Sequence, residues 1–199
     1  MAATRPLRAD AARNRDKLLA AATKEFSERG LDVPLEHIAR RAEVSIGTLY
    51  AHFPTREAFF DAIFPVRLAQ LETMADAALT DPDPWHGFVG YLEATFAMQA
   101  NDRGLSDALV RQYPRAVEVS AACHRGASHL ERILQRAKES GQLRADFEMS
   151  DLTALVLAMS RVIRETPDAW QRFLTFFLDG LRATEGAVGR EPGQDEERA

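Results

Sequence analysis

The chain has 199 residues, enough for one sizeable domain or for a small module joined to a larger one. Its 46% hydrophobic content and formal charge of −5 exclude wholesale disorder and a uniformly basic nucleic-acid coat. One cysteine, Cys123, excludes an intrachain disulfide framework, no apolar run reaches the roughly 18 residues of a membrane-spanning helix, and Met1 to Asp10 lacks the apolar stretch of a secretory signal, so a cytoplasmic protein is expected.

The first predicted helix runs from about Ala11 to Arg29, where Leu18, Leu19, Ala22 and Phe26 repeat at three- and four-residue spacing and Gly30 supplies a left-handed stop. Residues 1–10 are expected to form a flexible arm. A short helix over Leu35 to Ala42 turns Ile38 and Ala39 inward, and Ser45 caps a third over Ile46 to His52. Pro54 ends that one and Thr55 caps a fourth, from about Arg56 to Leu79, which contains Pro65. A proline there deletes a backbone hydrogen bond, so Pro65 reads either as a hinge or as a fixed kink that merely fits the packing.

Asp81-Pro82-Asp83-Pro84 breaks the chain before a fifth helix with Trp85, Phe88, Val89, Leu92 and Phe96 on one face. Gly104 to Tyr113 suits a short helix ended by Pro114, and Arg115 to Ser140 a long one closed by Gly141. Ser150 is placed as the cap of the next, with Leu152, Leu155, Val156, Met159 and Ile163 apolar. Pro167 opens the last, whose stripe is Trp170, Phe173, Leu174, Phe177, Leu178 and Leu181, and residues 186–199 read as a flexible tail. The fold class is therefore all-α, with about nine helices in total.

Charge is unevenly spread: residues 1–60 carry +2 and the remainder −7, with Arg5, Arg8, Arg13, Arg15 and Lys17 clustered at the start. Such a cluster is either a solvated helix face or a binding surface. Only three of the 25 basic residues are lysine, and alanine is abundant, a codon-usage signature of a GC-rich bacterial genome.

Residues 35–53, LEHIARRAEVSIGTLYAHF, pair two short helices across a tight turn, the pattern of a helix-turn-helix whose second helix enters the DNA major groove. Ile38, Ala39, Val44, Leu49 and Phe53 hold the pair together. Ile46, Gly47, Thr48, Tyr50 and His52 lie on the free face, too polar for a core and too apolar for plain solvent. Gly47 lets the backbone approach a base edge, Thr48 offers a hydroxyl and a methyl, and Tyr50, His52 and Arg56 carry donors suited to phosphates. Competing readings remain for two of these: Tyr50 packed against the first helix, and His52 as a cap at a helix C-terminus.

The run from Asp16 to Phe60 resembles the N-terminal domain of TetR-family transcriptional regulators. Ala21, Phe26, Gly30, Ile38, Ala39, Ala42, Val44, Ser45, Gly47, Thr48, Leu49, Tyr50, His52, Phe53 and Glu57 carry the resemblance. It implies that Ile46, Gly47 and Thr48, behind the cap Ser45, face bases; that Tyr50, His52 and Arg56 face phosphates; and that Arg13 reaches the flanking backbone. It implies an architecture of a three-helix DNA-binding domain, residues 11–55, followed by a larger helical ligand-binding and dimerisation domain, residues 56–185. Two departures stand out. Glu43 occupies a turn position where the family often has glycine, so it must take a left-handed or strained conformation beside DNA. Pro34-Leu35 replaces the usual Ser or Thr at the second helix, so no phosphate contact is expected there.

The resemblance further implies a small, largely apolar effector, with Met74, Trp85, Phe88, Tyr91, Phe96, Met98, Gln99, Tyr113 and Met159 as candidate pocket linings, although each also suits plain core. A homodimer through the last two helices would use Leu152, Leu155, Met159, Trp170, Phe173, Phe177 and Leu181. The spacing of Cys123, His124 and His129 does not place all three on one helical face, so no metal and no cofactor are expected. No nucleophile elbow, phosphate loop or metal-spaced motif marks an enzyme. The function expected is a ligand-responsive regulator, a repressor that binds a palindromic operator as a homodimer without crossing a membrane. The alternative is a helical small-molecule or protein-binding module whose helix-turn-helix is not used on DNA.

Overall fold

The computed structural model describes residues 4–111 and 115–183, with side chains from Ala9 onward. Among the described residues there are nine α-helices: α1 (Thr4–Arg29), α2 (Leu35–Arg41), α3 (Ile46–His52), α4 (Arg56–Thr80), α5 (Pro84–Asn101), α6 (Arg103–Val110), α7 (Val117–Glu139), α8 (Met149–Glu165) and α9 (Trp170–Leu181). The only extended pairing described is a single antiparallel bridge between Leu143 and Arg182. The expected tail over 186–199, Tyr113 and Pro114 lie outside the described residues.

Helix starts are the main difference from the sequence reading. Helix α1 begins at Thr4, so residues 4–10 are helical rather than an irregular arm. Pro6 falls in the first turn, where a missing amide donor removes no intrahelical bond. Helix α8 begins at Met149, which leaves Ser150 inside its first turn instead of capping it. The Asp151 carboxylate accepts the Glu148 N–H at 2.8 Å and closes that end. Ser45 and Thr55 cap as expected, accepting from Thr48 and Ala58, and Asp83 in the break before α5 accepts from Trp85 and His86.

The first core packs α1–α3 against the beginning of α4. Leu18, Ala22 and Phe26 of α1 meet Ile38, Leu49, Phe53 and the α4 side chains Phe59, Phe60, Ile63 and Phe64. Phe53 stacks on Phe59 at 3.9 Å between ring centroids, and Phe26 lies edge-on to Phe59 and Phe60 at 6.3 and 5.6 Å. The second core joins the end of α4 to α5, α7, α8 and α9. Helix α4 is thus shared: its first turns, expected to open the second domain at residue 56, belong to the head's core, and Met74 packs against both. Pro65 sits between the two halves.

Two carboxylates pin the head to the body. Asp61 of α4 accepts the N–H groups of Val117, Glu118 and Val119 at 3.2, 3.1 and 3.2 Å, and so caps α7, whose own N-cap residue Ala116 has no side-chain acceptor. Asp107 of α6 accepts the Leu31 N–H at 2.9 Å, just past the end of α1. Gly30 is required there on two counts: its φ is +85°, and a Cβ would come within 2.6 Å of Asp107 Oδ2.

Candidate nucleic-acid interface and internal cavity

The turn between α2 and α3 closes through Glu43 N–H to Arg40 O and Val44 N–H to Ala39 O, both 3.1 Å. Glu43 takes φ +56°, the left-handed conformation its position requires. Helix α3 then buries Leu49 and is followed by buried Phe53, over whose ring the Arg15 guanidinium lies at 5.3 Å. The opposite side is open. Ile46 is 39% and Tyr50 46% exposed, one turn apart, with exposed Gly47 between them. A Cβ added at Gly47 would meet nothing closer than Ser45 Oγ at 3.9 Å, so the protein's own packing does not demand glycine there. Tyr50 thus leaves close to half of its surface open to solvent.

Thr48 is half-buried, and its hydroxyl pairs with Ser45 Oγ at 2.8 Å while its N–H donates to the same oxygen at 3.1 Å. Its methyl and remaining hydrogen-bonding capacity are what it can present outward. His52 is half-buried at the end of α3. Arg13 is exposed on α1 and ion-paired with Asp10. Arg56 departs from expectation: Nη1 donates to Leu31 O and Val33 O, both at 2.6 Å. Those carbonyls belong to the non-helical stretch between α1 and α2 and need a donor, which Nη1 supplies, so at least part of the guanidinium serves the fold.

Within the body, a cavity of about 230 Å³ lies among α4, α5, α6, α7 and α8 and opens to the surface beside the exposed residues Ala127 and Thr153. Helix α5 contributes Tyr91, Thr95 and Gln99 at four-residue intervals, together with Leu92 and Phe96. Leu68 and Leu71 come from α4, Cys123 and Leu130 from α7, and Leu152 and Val156 from α8. None of the described lining residues carries a formal charge. Burial pushes the Tyr91 phenol and the Cys123 thiol up, so both stay neutral at physiological pH. Gln99 Oε1 accepts from Ser106 Oγ of α6 at 3.3 Å, whereas Gln99 Nε2 is buried without a hydrogen-bond partner.

Of the candidate linings, Tyr91, Phe96 and Gln99 face this cavity. Met74 and Met98 line a separate open groove with Ser27 and Leu105. Trp85, Phe88 and Met159 are buried in the second core, packed with residues of α8 and α9, and Arg182 covers the Trp85 ring at 4.4 Å. Sequence reasoning missed Thr95, Leu68, Leu71 and the cavity role of Cys123. The signal for Thr95 was present: polar residues recurring every fourth position, Tyr91, Thr95 and Gln99, mark one face of an otherwise apolar helix. His124 and His129 direct Nδ1 to the carbonyls of Ser120 and Arg125, at 2.7 and 3.0 Å. No group of three or more potential metal ligands is gathered among the described residues.

A second, polar cleft lies between the end of α1 and α6 and α8, and Gln99 and Ser106 separate it from the cavity. Asp107 is its centre, with Arg164 Nη2 at 3.5 Å and Arg111 Nη2 at 3.6 Å, while Arg111 also meets Asp32 at 2.8 Å.

The outward face of α8 and α9 differs from the expected set. Leu152, Leu155, Met159, Trp170 and Leu181 are buried in the chain's own core. Phe173 is 42% exposed and Phe177 half-buried. The surface consists of Ala154, Leu157 and Ala158 on α8 beside Phe173, Phe176 and Gly180 on α9, with Phe176 62% exposed. Each helix carries an apolar stripe wider than one contact can cover, and most of the expected residues form its inner row.

Residues 18–63 match the profile described as bacterial regulatory proteins of the tetR family, and residues 83–183 match that of a transcriptional regulator SbtR-like C-terminal domain. The crystal structure of the TetR transcription regulatory protein from Mycobacterium vanbaalenii is 34% identical, covering 89% of this chain and 99% of that one, with a TM-score of 0.52. The TetR transcriptional regulator SCO0520 from Streptomyces coelicolor is 32% identical over 85% of this chain and 99% of its own, with a TM-score of 0.53. An uncharacterised HTH-type transcriptional regulator of Bacillus subtilis (strain 168), YhgD, is 37% identical over 70 residues, which span 35% of this chain and 37% of that protein.

Proposed function

The chain belongs to the TetR family of transcriptional regulators, and from that premise we propose that it is a ligand-responsive repressor which binds a palindromic operator as a homodimer and releases it when a small molecule enters the body. The observation that carries this reading is the unpartnered face of α3. Ile46, Gly47 and Tyr50 are held outward by a capped, well-packed helix, and no internal contact requires Gly47 to lack a side chain. An α-helix presenting such a face fits the major groove, with Ile46, Gly47 and Thr48 toward bases and Tyr50, His52 and Arg13 toward phosphates.

Two connections support control from the cavity. Leu68 and Leu71 line it on the same helix whose Phe59 to Phe64 turns belong to the head, and Pro65 removes a hydrogen bond between those halves. Gln99 in the cavity wall meets Ser106 of α6, and the next residue, Asp107, holds Leu31 of the head. A ligand that moves α4 or α6 therefore shifts the reading helix and changes the DNA affinity by its differential binding to the two arrangements. This reading assigns the chain no reaction. Among the described residues no helix is long and apolar enough to cross a membrane, which suits action on chromosomal DNA in the cytoplasm.

Gel-shift titration against the promoter region beside the chain's own gene tests this. Wild type should bind with affinity that falls steeply with salt, and Tyr50→Ala should bind about tenfold more weakly, the loss expected for one phosphate hydrogen bond plus its packing. Thr48→Ala should change the preferred sequence rather than weaken every site alike. Equal binding by wild type and Tyr50→Ala, or no binding at low salt, would sink the DNA reading.

A further inference from the structure

We propose that the cavity takes an uncharged, compact, largely apolar molecule with one carbonyl oxygen, and that Gln99 Nε2 donates the hydrogen bond which orients it. This deepens the effector reading above and rests on it. Size comes first: about 230 Å³ lies below the roughly 300 Å³ floor of pockets for drug-sized ligands, so the occupant is small.

Charge comes second. The described walls hold no ionised side chain, and Tyr91 and Cys123 are kept neutral by burial. A carboxylate or ammonium seated at the buried Gln99 end would lose its hydration without gaining a charged partner. The arginines of the neighbouring cleft lie beyond Gln99 and Ser106, with Arg164 and Arg111 drawn to Asp107 and Arg111 also to Asp32.

Polarity comes third. Gln99 is 1% exposed, and its amide is half satisfied: Oε1 accepts from Ser106 on the α6 side, and Nε2 has no acceptor. A buried amide donor left unmade is costly, and such a vacancy in a native interior calls for an explanation. An acceptor oxygen on the ligand supplies it, because Nε2 is a donor only and a hydroxyl-free ketone or ester matches it. Thr95 and Tyr91, one and two turns back along α5, continue the polar line and leave the remaining walls to an apolar body. The other end of the same amide, Oε1, accepts from Ser106 of α6, so the group that registers the ligand is one hydrogen bond from the helix that holds the head.

The test uses the full chain and three probes of one shape: propiophenone, propylbenzene and 3-phenylpropanoate. Binding is followed by calorimetry and by protection of Cys123, the chain's one cysteine and a cavity wall, from iodoacetamide. Propiophenone should bind about five- to tenfold more tightly than propylbenzene, the ratio expected for one buried hydrogen bond. The carboxylate should bind at least about tenfold more weakly than the ketone.

Gln99→Leu should abolish the ketone's advantage and keep the hydrocarbon's affinity, which also shows that the cavity is intact. If that variant fails to fold, Gln99→Met is read for the same ratio. The inference is overturned if the carboxylate binds as well as the ketone, if the ratio survives substitution of Gln99, or if no probe protects Cys123 at saturation. Release from operator DNA by propiophenone is read separately. A Gln99-dependent ratio without release leaves this inference standing and overturns the effector reading; operator binding without any probe binding does the reverse.

Discussion

At the scale of single residues, Glu43 and Arg56 show how local chemistry shapes the reading head. Glu43 holds φ +56° with a side chain attached, a conformation that costs a non-glycine residue about 1 kcal/mol. Glu43→Gly should therefore raise the melting temperature by about 2–4 °C, partly offset by the extra freedom of glycine in the unfolded chain. It should also strengthen DNA binding by removing an acid beside the groove-facing helix. A thermal scan showing a lower melting temperature would contradict this. Arg56 joins two carbonyls of the stretch before α2, so Arg56→Ala should cost about 2–3 kcal/mol of stability in chemical denaturation. If the variant instead kept full stability and lost only DNA affinity, the residue would be a phosphate contact after all. From sequence, Arg56 was indistinguishable from a phosphate donor, because its partners are backbone oxygens 23 and 25 residues away.

At the scale of elements, the junction of α4 and α5 carries a pH dependence. His86 Nδ1 meets Asp81 Oδ2 at 2.7 Å across the Asp81-to-Pro84 break. The hydrogen bond to Asp81 raises the His86 pKa above its ordinary 6.5, and the bond to His86 lowers that of Asp81 below 3.8. The histidine's contribution is fully present below pH 6.5 and is lost as pH rises through its raised value. The aspartate's is present above pH 3.8 and is lost as pH falls through its lowered one. The pair is therefore at full strength between these two ordinary values, and the melting temperature should fall slightly from about pH 6 to 8. His86→Asn should flatten that slope; an unchanged slope would show that other groups cause it. Both side chains touch solvent, so the effect is small. Helix starts were legible at Ser45 and Thr55, whose side chains cap in place, but not at α8, where the local pair Glu148 and Asp151 closes the end instead of Ser150. Helix α7 shows the limit: its cap is Asp61, on another helix, and no reading of Arg115 to Ser120 reveals it.

At the scale of the molecule, the outward strip of Ala154, Leu157, Ala158, Phe173 and Phe176 is the surface through which a two-fold dimer would form. In a four-helix interface of that kind each protomer would bury its Phe176, at about 2 kcal/mol each. Phe176→Glu should therefore weaken dimerisation by about a thousandfold, a monomer in light scattering with unchanged helical circular dichroism. A dimer of wild-type strength would place the interface elsewhere. The uneven charge, +2 on residues 1–60 and −7 beyond, fits a head that meets DNA and a body held off it.

The sequence by itself determined the all-α class, the helix-turn-helix register and the outward placement of Ile46, Gly47 and Tyr50 on α3, because periodicity and caps act over a few residues, whereas the left-handed Glu43 followed from the family resemblance. It also pointed to Tyr91, Phe96 and Gln99. Only the tertiary structure decided which side of each broad apolar stripe faces a neighbouring helix. That decision placed Trp85, Phe88 and Met159 in the core, left Phe176 outside and turned Arg56 inward. It also brought Gln99 beside Ser106 and Asp107 beside Leu31, contacts set by helix packing across 7 and 76 residues of chain. A helix records which of its residues avoid water, but not whether a cavity, a core or a second chain will cover them.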